Sequence, residues 1–176
     1  MANTYTLIAS STVGAGGAAN ISFTSIPATY TDLVVKFSAR NVSSSNVFGI
    51  VGISLNGVTA NLTAKILYGY GSGTGSLSAS GNPGIWTYQD SATSTASTFG
   101  NGEVYIPNYA GSTYKSMSLD GVNENNATDG RQTLTAGLWS DTSAITSVQL
   151  TSFDSGLAAS NFAQYSTAYL YGVKSS

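Results

Sequence analysis

The feature that most constrains this chain is a side-chain alternation of period two, repeated from end to end and broken by Gly, Asn, Asp or Pro. In "TDLVVKFSAR", Leu33, Val35, Phe37 and Ala39 fall on one side, and Val34, Lys36, Ser38 and Arg40 on the other. Successive strand side chains point to opposite faces, so the first set is the expected core face. "ANISFTSI" repeats the pattern with Ile21 and Phe23, and Pro27 follows with no N–H to offer a ladder. "VFGIVGISLNGVTANLTAKILYGY" reads as two strands around Asn56-Gly57, a pair suited to a tight hairpin turn. Residues 71–84, "GSGTGSLSASGNPG", offer little to bury and read as a long exposed loop. Six further strands follow, in "GIWTYQD", "GEVYIPNYAG", "TYKSMSLDGVNENN", "RQTLTAGLWSD", "AITSVQLTSF" and "NFAQYSTAYLYGV". The expectation is an all-β, antiparallel β-sandwich of jelly-roll type, with about ten strands and no helix, forming one domain over residues 1–176.

Composition narrows what such a domain can do. With 8% charged residues, the wet side must be built from Ser, Thr, Asn, Gln and backbone. Six Lys and Arg against eight Asp and Glu leave a net charge of -2, so there is no basic field for nucleic acid. Without Cys there is no thiolate chemistry, and without His there is no imidazole base or Ser-His-Asp triad. The N-terminal stretch lacks a basic region followed by an apolar one, and nowhere is there an apolar run of about 18 residues. Neither a signal peptide nor a membrane span is expected, and the chain reads as complete, without an appended shaft or collar.

Motifs for chemistry are weak. "DGVNENNATDG" contains Asp120, Asn123, Glu124, Asn125 and Asp129, oxygen donors of the kind calcium takes, but not at the helix-loop-helix spacing. It reads as a turn held by Asn and Asp side chains. "GYGSGTG" has neither phosphate-loop spacing nor a following helix. Asp90, Asp129 and Asp141 sit among turn residues, so a catalytic acid pair of the glycosidase kind is not expected. Four N-x-[ST] matches, at Asn20, Asn41, Asn61 and Asn126, matter only for a secreted chain. No catalytic, cofactor-binding or metal-ligating residue is assigned.

The aromatics say more. Eleven Tyr and two Trp are many for so few charges, and Tyr joins apolar area to a polar tip, as interfaces and sugar-binding surfaces require. Tyr68, Tyr70, Trp86 and Tyr88 flank the expected loop, Tyr165, Tyr169 and Tyr171 follow one face of the last strand, and Trp139 stands in the "GLW" stretch. Any one of these is explained by core or edge packing; the set is explained better by an intermolecular contact.

The order "ISFTSIPATYTDLVVKFSARN", "GEVYIPNYAGSTYKSMSLDGVNENN" and "AGLWSDTSAITSVQLTSFDSGLAASNFAQYSTAYLYGV" resembles a small all-β virion structural protein of tailed double-stranded DNA bacteriophages, nearly end to end. In that group similar sequences occur as stand-alone head proteins and as terminal domains of tail fibres. The resemblance implies a part of the virion rather than one particular part; with no appended shaft or collar, the first expectation is a capsid decoration (cement) protein, a homotrimer on the outer surface of the capsid, whose partner is the major capsid protein. It carries over no catalytic residue. A tail-fibre or head-fibre adhesin that stacks a host glycan on Trp86 or Trp139 is the second expectation. A polysaccharide depolymerase with two carboxylates is the third.

Overall fold

The computed structural model describes residues 4–124, 126 and 129–174, and these contain strands, turns and no helix. Twelve strands follow one another: β1 (Thr4–Thr12), β2 (Asn20–Phe23), β3 (Asp32–Ala39), β4 (Phe48–Leu55), β5 (Leu62–Tyr70), β6 (Gly73–Ser80), β7 (Ile85–Asp90), β8 (Gly100–Ile106), β9 (Lys115–Asn123), β10 (Arg131–Trp139), β11 (Val148–Phe153) and β12 (Thr167–Lys174). They form two antiparallel sheets, one of eight strands in the order β1-β12-β3-β8-β9-β10-β5-β6 and one of four in the order β2-β11-β4-β7.

The alternation produces this directly. Leu33, Val35, Phe37 and Ala39 are buried on β3, while Lys36 on the opposite face is exposed. On β9 the odd residues Lys115, Met117, Leu119, Gly121 and Asn123 are buried and the even ones exposed. Facing residues of both sheets join in a single apolar cluster that includes Ile53, Leu55, Ile66, Ile106, Leu119, Trp139 and Leu150.

Three expectations are corrected. The count is twelve rather than about ten, because β1 and β6 add to the expected set. Residues 71–84 are not a loop: Gly73–Ser80 pairs with β5 in unbroken register, from Tyr70↔Gly73 to Thr63↔Ser80. Backbone hydrogen bonding makes a strand here although the side chains bury little. Asn56-Gly57 does turn, with φ of 51° and 72°, but it joins no hairpin. β4 lies in the four-stranded sheet and β5 in the eight-stranded one, so this turn carries the chain between layers.

The layers approach most closely where β7 crosses β8–β10, and glycine permits it. A methyl group on Gly121 would sit 2.1 Å from Thr87 Oγ1, and one on Gly137 would sit 2.8 Å from Ile85 Cδ1. The polar groups enclosed there bond across the gap, Thr87 Oγ1 with Thr133 Oγ1 at 2.5 Å and Thr135 Oγ1 to the carbonyl of Trp86 at 3.2 Å.

Candidate interaction surface

The eight-stranded sheet has one face on the core and one on solvent, and the register fixes what the second displays. One row across it runs Tyr171, Val34, Tyr105, Ser118, Ala136, Lys65, Ser78, of which Val34 is itself fully buried. The next runs Tyr169, Lys36, Glu103, Asp120, Leu134, Leu67, Ser76. Leu134 and Leu67 are thus cross-strand neighbours, and they are 57% and 54% exposed. Tyr5, Leu7, Tyr105, Val122 and Tyr169 are also exposed large apolar residues on strands of this sheet.

Charge on the face is sparse and largely satisfied locally. Lys36 Nζ meets Glu103 Oε2 at 2.7 Å, and this contact holds the ammonium pKa above its usual value. Lys65 Nζ donates to Ser78 Oγ at 3.2 Å. The hydroxyl of Tyr105 donates to Asp32 Oδ2 at 2.9 Å, which with some burial raises the phenol pKa. Between β9, β10, β5 and β6 the surface dips into an open trough of about 660 Å³, lined by Leu67, Thr74, Asp120, Val122, Gln132 and Leu134.

The residues expected to touch a partner fall into separate places. Tyr165 is exposed but precedes β12, in a turn with φ of 71°. Tyr169 and Tyr171 stack at 6.5 Å on the outer face, and Tyr171 meets Tyr5 edge-on at 6.1 Å. Tyr68 and Tyr70 stack at 5.9 Å. Tyr70 is the cross-strand partner of Arg131, whose guanidinium lies 3.7 Å from the Phe48 ring centre and 5.2 Å from those of Tyr70 and Tyr88.

Trp86, Tyr88 and Trp139 are corrections: all three are buried within the chain and offer no surface. Trp86 packs edge-on to Tyr88 at 5.4 Å, and Tyr88 to Phe48 at 5.2 Å. Burial is also the main reason the Tyr88 phenol pKa is raised. Trp139 lies 5.8 Å beneath the ammonium of Lys115.

The acidic segment does not converge. Asp120 points to the outer face, while Asn123 is buried with its amide on Asp90. Glu124 Oε1 accepts from the backbone of Asn126 at 2.8 Å, Asp129 pairs with Arg131 at 3.1 Å, and Asn125 lies outside the described residues. Among the described residues no three His, Cys, Asp or Glu side chains gather as a metal would need. Asp141 accepts from the backbone of Ser143 at 2.7 Å, which lowers its pKa. Asn41 is buried, its amide donating to the carbonyl of Phe153 at 2.9 Å, so it is no glycan acceptor in the folded chain.

Two cations that the residue pattern did not single out organise the loops. The Arg40 guanidinium donates to the carbonyls of Ala92, Ser94, Thr95 and Thr98 at 2.8–3.3 Å, so residues 91–99 wrap around it. Lys115 is 1% exposed, and its Nζ donates to the carbonyls of Gly111, Thr113 and Ser143 at 2.6–2.7 Å. Arg40 draws on a loop more than fifty residues away, whereas Lys115 joins its own preceding turn, through Gly111 and Thr113, to Ser143 on a later loop. The outer-face leucines run against the alternation: in "RQTLTAGLW" Leu134 and Leu138 share the parity that period two would send to the core, yet Thr133, Thr135 and Trp139 are the buried side of β10. No family model, no curated protein and no solved structure matches this chain.

Proposed function

We propose that the protein is a structural component of a tailed-phage virion, a non-enzymatic capsid decoration protein that binds the major capsid protein on the outer surface of the shell, as a homotrimer. The observation that carries this is the solvent face of the eight-stranded sheet, with Leu67, Leu134, Val122 and Tyr105 exposed among hydroxyl and amide groups. A face of this kind is wetted well enough to stay in solution, yet releases apolar area from water when covered. The resemblance of the three sequence stretches to phage virion proteins points the same way.

The jelly-roll reading belongs to the same proposal. With β5, β6, β9 and β10 set aside, the remaining strands order as β1-β12-β3-β8 over β2-β11-β4-β7. Two interleaved Greek keys in an eight-strand double sheet would give this order, which supports the reading. The four extra strands all widen the eight-stranded sheet, and they supply the trough.

Mechanically, each bound copy hides apolar area across a capsomer boundary, and opening the shell must expose it again. Each contact is modest, and the number of copies supplies the strength. Heads prepared without the protein are expected to disrupt at lower temperature than heads to which it has been added back. Equal disruption temperatures, or absence of the protein from purified heads, would refute the reading.

The adhesin alternative loses its tryptophans, which are buried. It keeps one specific support, the stacked Tyr68–Tyr70 pair beside a groove that Arg131 and Gln132 also line. Binding of the isolated protein to host cells, abolished by Tyr70→Ala, would favour it over the capsid.

A further inference from the structure

The two sheets have four edges, and three of them are protected against pairing. β1 carries a register irregularity between Leu7 and Ala9, β2 is only four residues long, and every residue of β7 is buried. Short, bulged or covered edges are the usual defences against strand addition. β6 has none of these. It is eight residues of regular register, it ends the eight-stranded sheet, and its sequence "GTGSLSAS" holds neither a charge nor a proline.

Its free groups can be named. The amide of Gly81 donates to the carbonyl of Leu62, which marks the odd residues of the strand as those bonded to β5. In an antiparallel ladder the bonding direction alternates, so the N–H and C=O groups of Thr74, Ser76, Ser78 and Ser80 face outward.

We propose that this edge pairs with the same edge of a second copy, antiparallel about a two-fold axis, with Leu77 opposite Leu77. In that register Thr74 meets Ser80 and Ser76 meets Ser78, so each outward amide and carbonyl finds its counterpart. Both faces also stay in phase: Leu77, half-buried at present, meets its own copy on the inner face, and hydroxyls meet hydroxyls on the outer one. A second copy is favoured over a foreign strand because the segment is self-complementary and offers no charge by which to select another sequence. The nearest charge on β5, Lys65, would stand at least about 14 Å from its copy, three strand spacings away. That exceeds the screening length at physiological salt. The pairing goes beyond the decoration reading and does not depend on it, although on a shell it would tie neighbouring copies to one another.

The chain has no cysteine, so single substitutions give a clean test with purified protein alone. Opposed residues of a non-hydrogen-bonded pair lie about 4.5 Å apart at Cα, within disulfide range. Leu77→Cys should therefore oxidise to a covalent dimer. Ser76→Cys, whose copy lies diagonally about 7–8 Å away, and Leu157→Cys, at an exposed position outside the strands, should cross-link far less. Ser78→Pro removes an outward donor and leaves the β5 bonds in place, and should weaken dimerisation in sedimentation about tenfold or more. Two results overturn the proposal: wild-type protein that sediments as a monomer at every concentration, or a Leu77→Cys variant that cross-links no faster than Ser76→Cys and Leu157→Cys. None of these results bears on whether the protein binds heads.

Discussion

Asn123, at the end of β9, donates from Nδ2 to Oδ1 of Asp90, at the end of β7, across 3.3 Å of the protein interior. The other two side-chain oxygens of the pair, Asp90 Oδ2 and Asn123 Oδ1, are buried with no hydrogen-bond partner. Burial holds the Asp90 carboxyl above the usual carboxylate range, against opposing contributions from Asn123, Thr98, Ser94 and Arg40.

The pH dependence follows from linkage. With the folded pKa raised above the ordinary 3.8 of the unfolded chain, the folded state binds more protons through the interval between them. Stability therefore falls as pH rises through that interval, and it is regained on acidification down to the unfolded value. Asp90→Asn keeps an acceptor for Asn123 and removes the charge. Its urea midpoint should equal or exceed wild type at pH 7 and should lack this dependence between pH 4 and pH 7. Parallel curves for the two proteins would contradict the assignment.

Lys115 fills its three donor positions with three carbonyls from two loops. Lys115→Met removes all three at a site that water does not reach, leaving buried acceptors unpaired. A loss of about 3–5 kcal/mol is expected, as for a broken buried charge contact. Denaturant unfolding at pH 7 measures it, and a loss below about 1 kcal/mol would show that the loops hold themselves.

Gly121 marks the closest approach of the layers. The extra carbon of Gly121→Ala meets Thr87 Oγ1, and overpacking of this kind costs about 1–3 kcal/mol. Ser118→Ala, on the exposed face of the same strand, should lie within about 0.5 kcal/mol of wild type. Equal melting of the two variants would mean that β7 does not lie on β9 as described.

Both tryptophans are enclosed, so their fluorescence should be blue-shifted in the native protein and poorly quenched by iodide until it unfolds. Trp86→Ala should destabilise the fold by about 3–5 kcal/mol, as is usual when an aromatic site in a core is emptied. Efficient quenching in the native state would return Trp86 or Trp139 to the surface.

Leu134→Lys and Leu67→Lys place charge on the exposed face without touching the core, and Asp120 beside Leu134 makes the lysine there a cross-strand partner rather than a like charge. Each should leave stability within about 0.5 kcal/mol of wild type while sharply reducing retention on heads in a co-sedimentation assay. Unchanged retention would move the docking surface off this sheet.

Fold class was determined by the sequence alone, because period two sorts the residues of each strand into two opposite faces without reference to anything distant. Leu33, Val35, Phe37 and Ala39 went inside for that reason, and the absence of His and Cys removed whole classes of chemistry. What required the tertiary structure is everything set by which strand lies beside which. Gly73–Ser80 is a strand because β5 offers it a ladder, although its own side chains argue for a loop. Asn56-Gly57 supplies a turn whose flanking strands diverge into different sheets, a choice made by packing rather than by the turn. Trp86, Tyr88 and Trp139 carry the same chemistry inside or outside, and only the second layer decides that they are covered. Leu134 and Leu67 become one patch solely because the register of β10 against β5 sets them opposite each other.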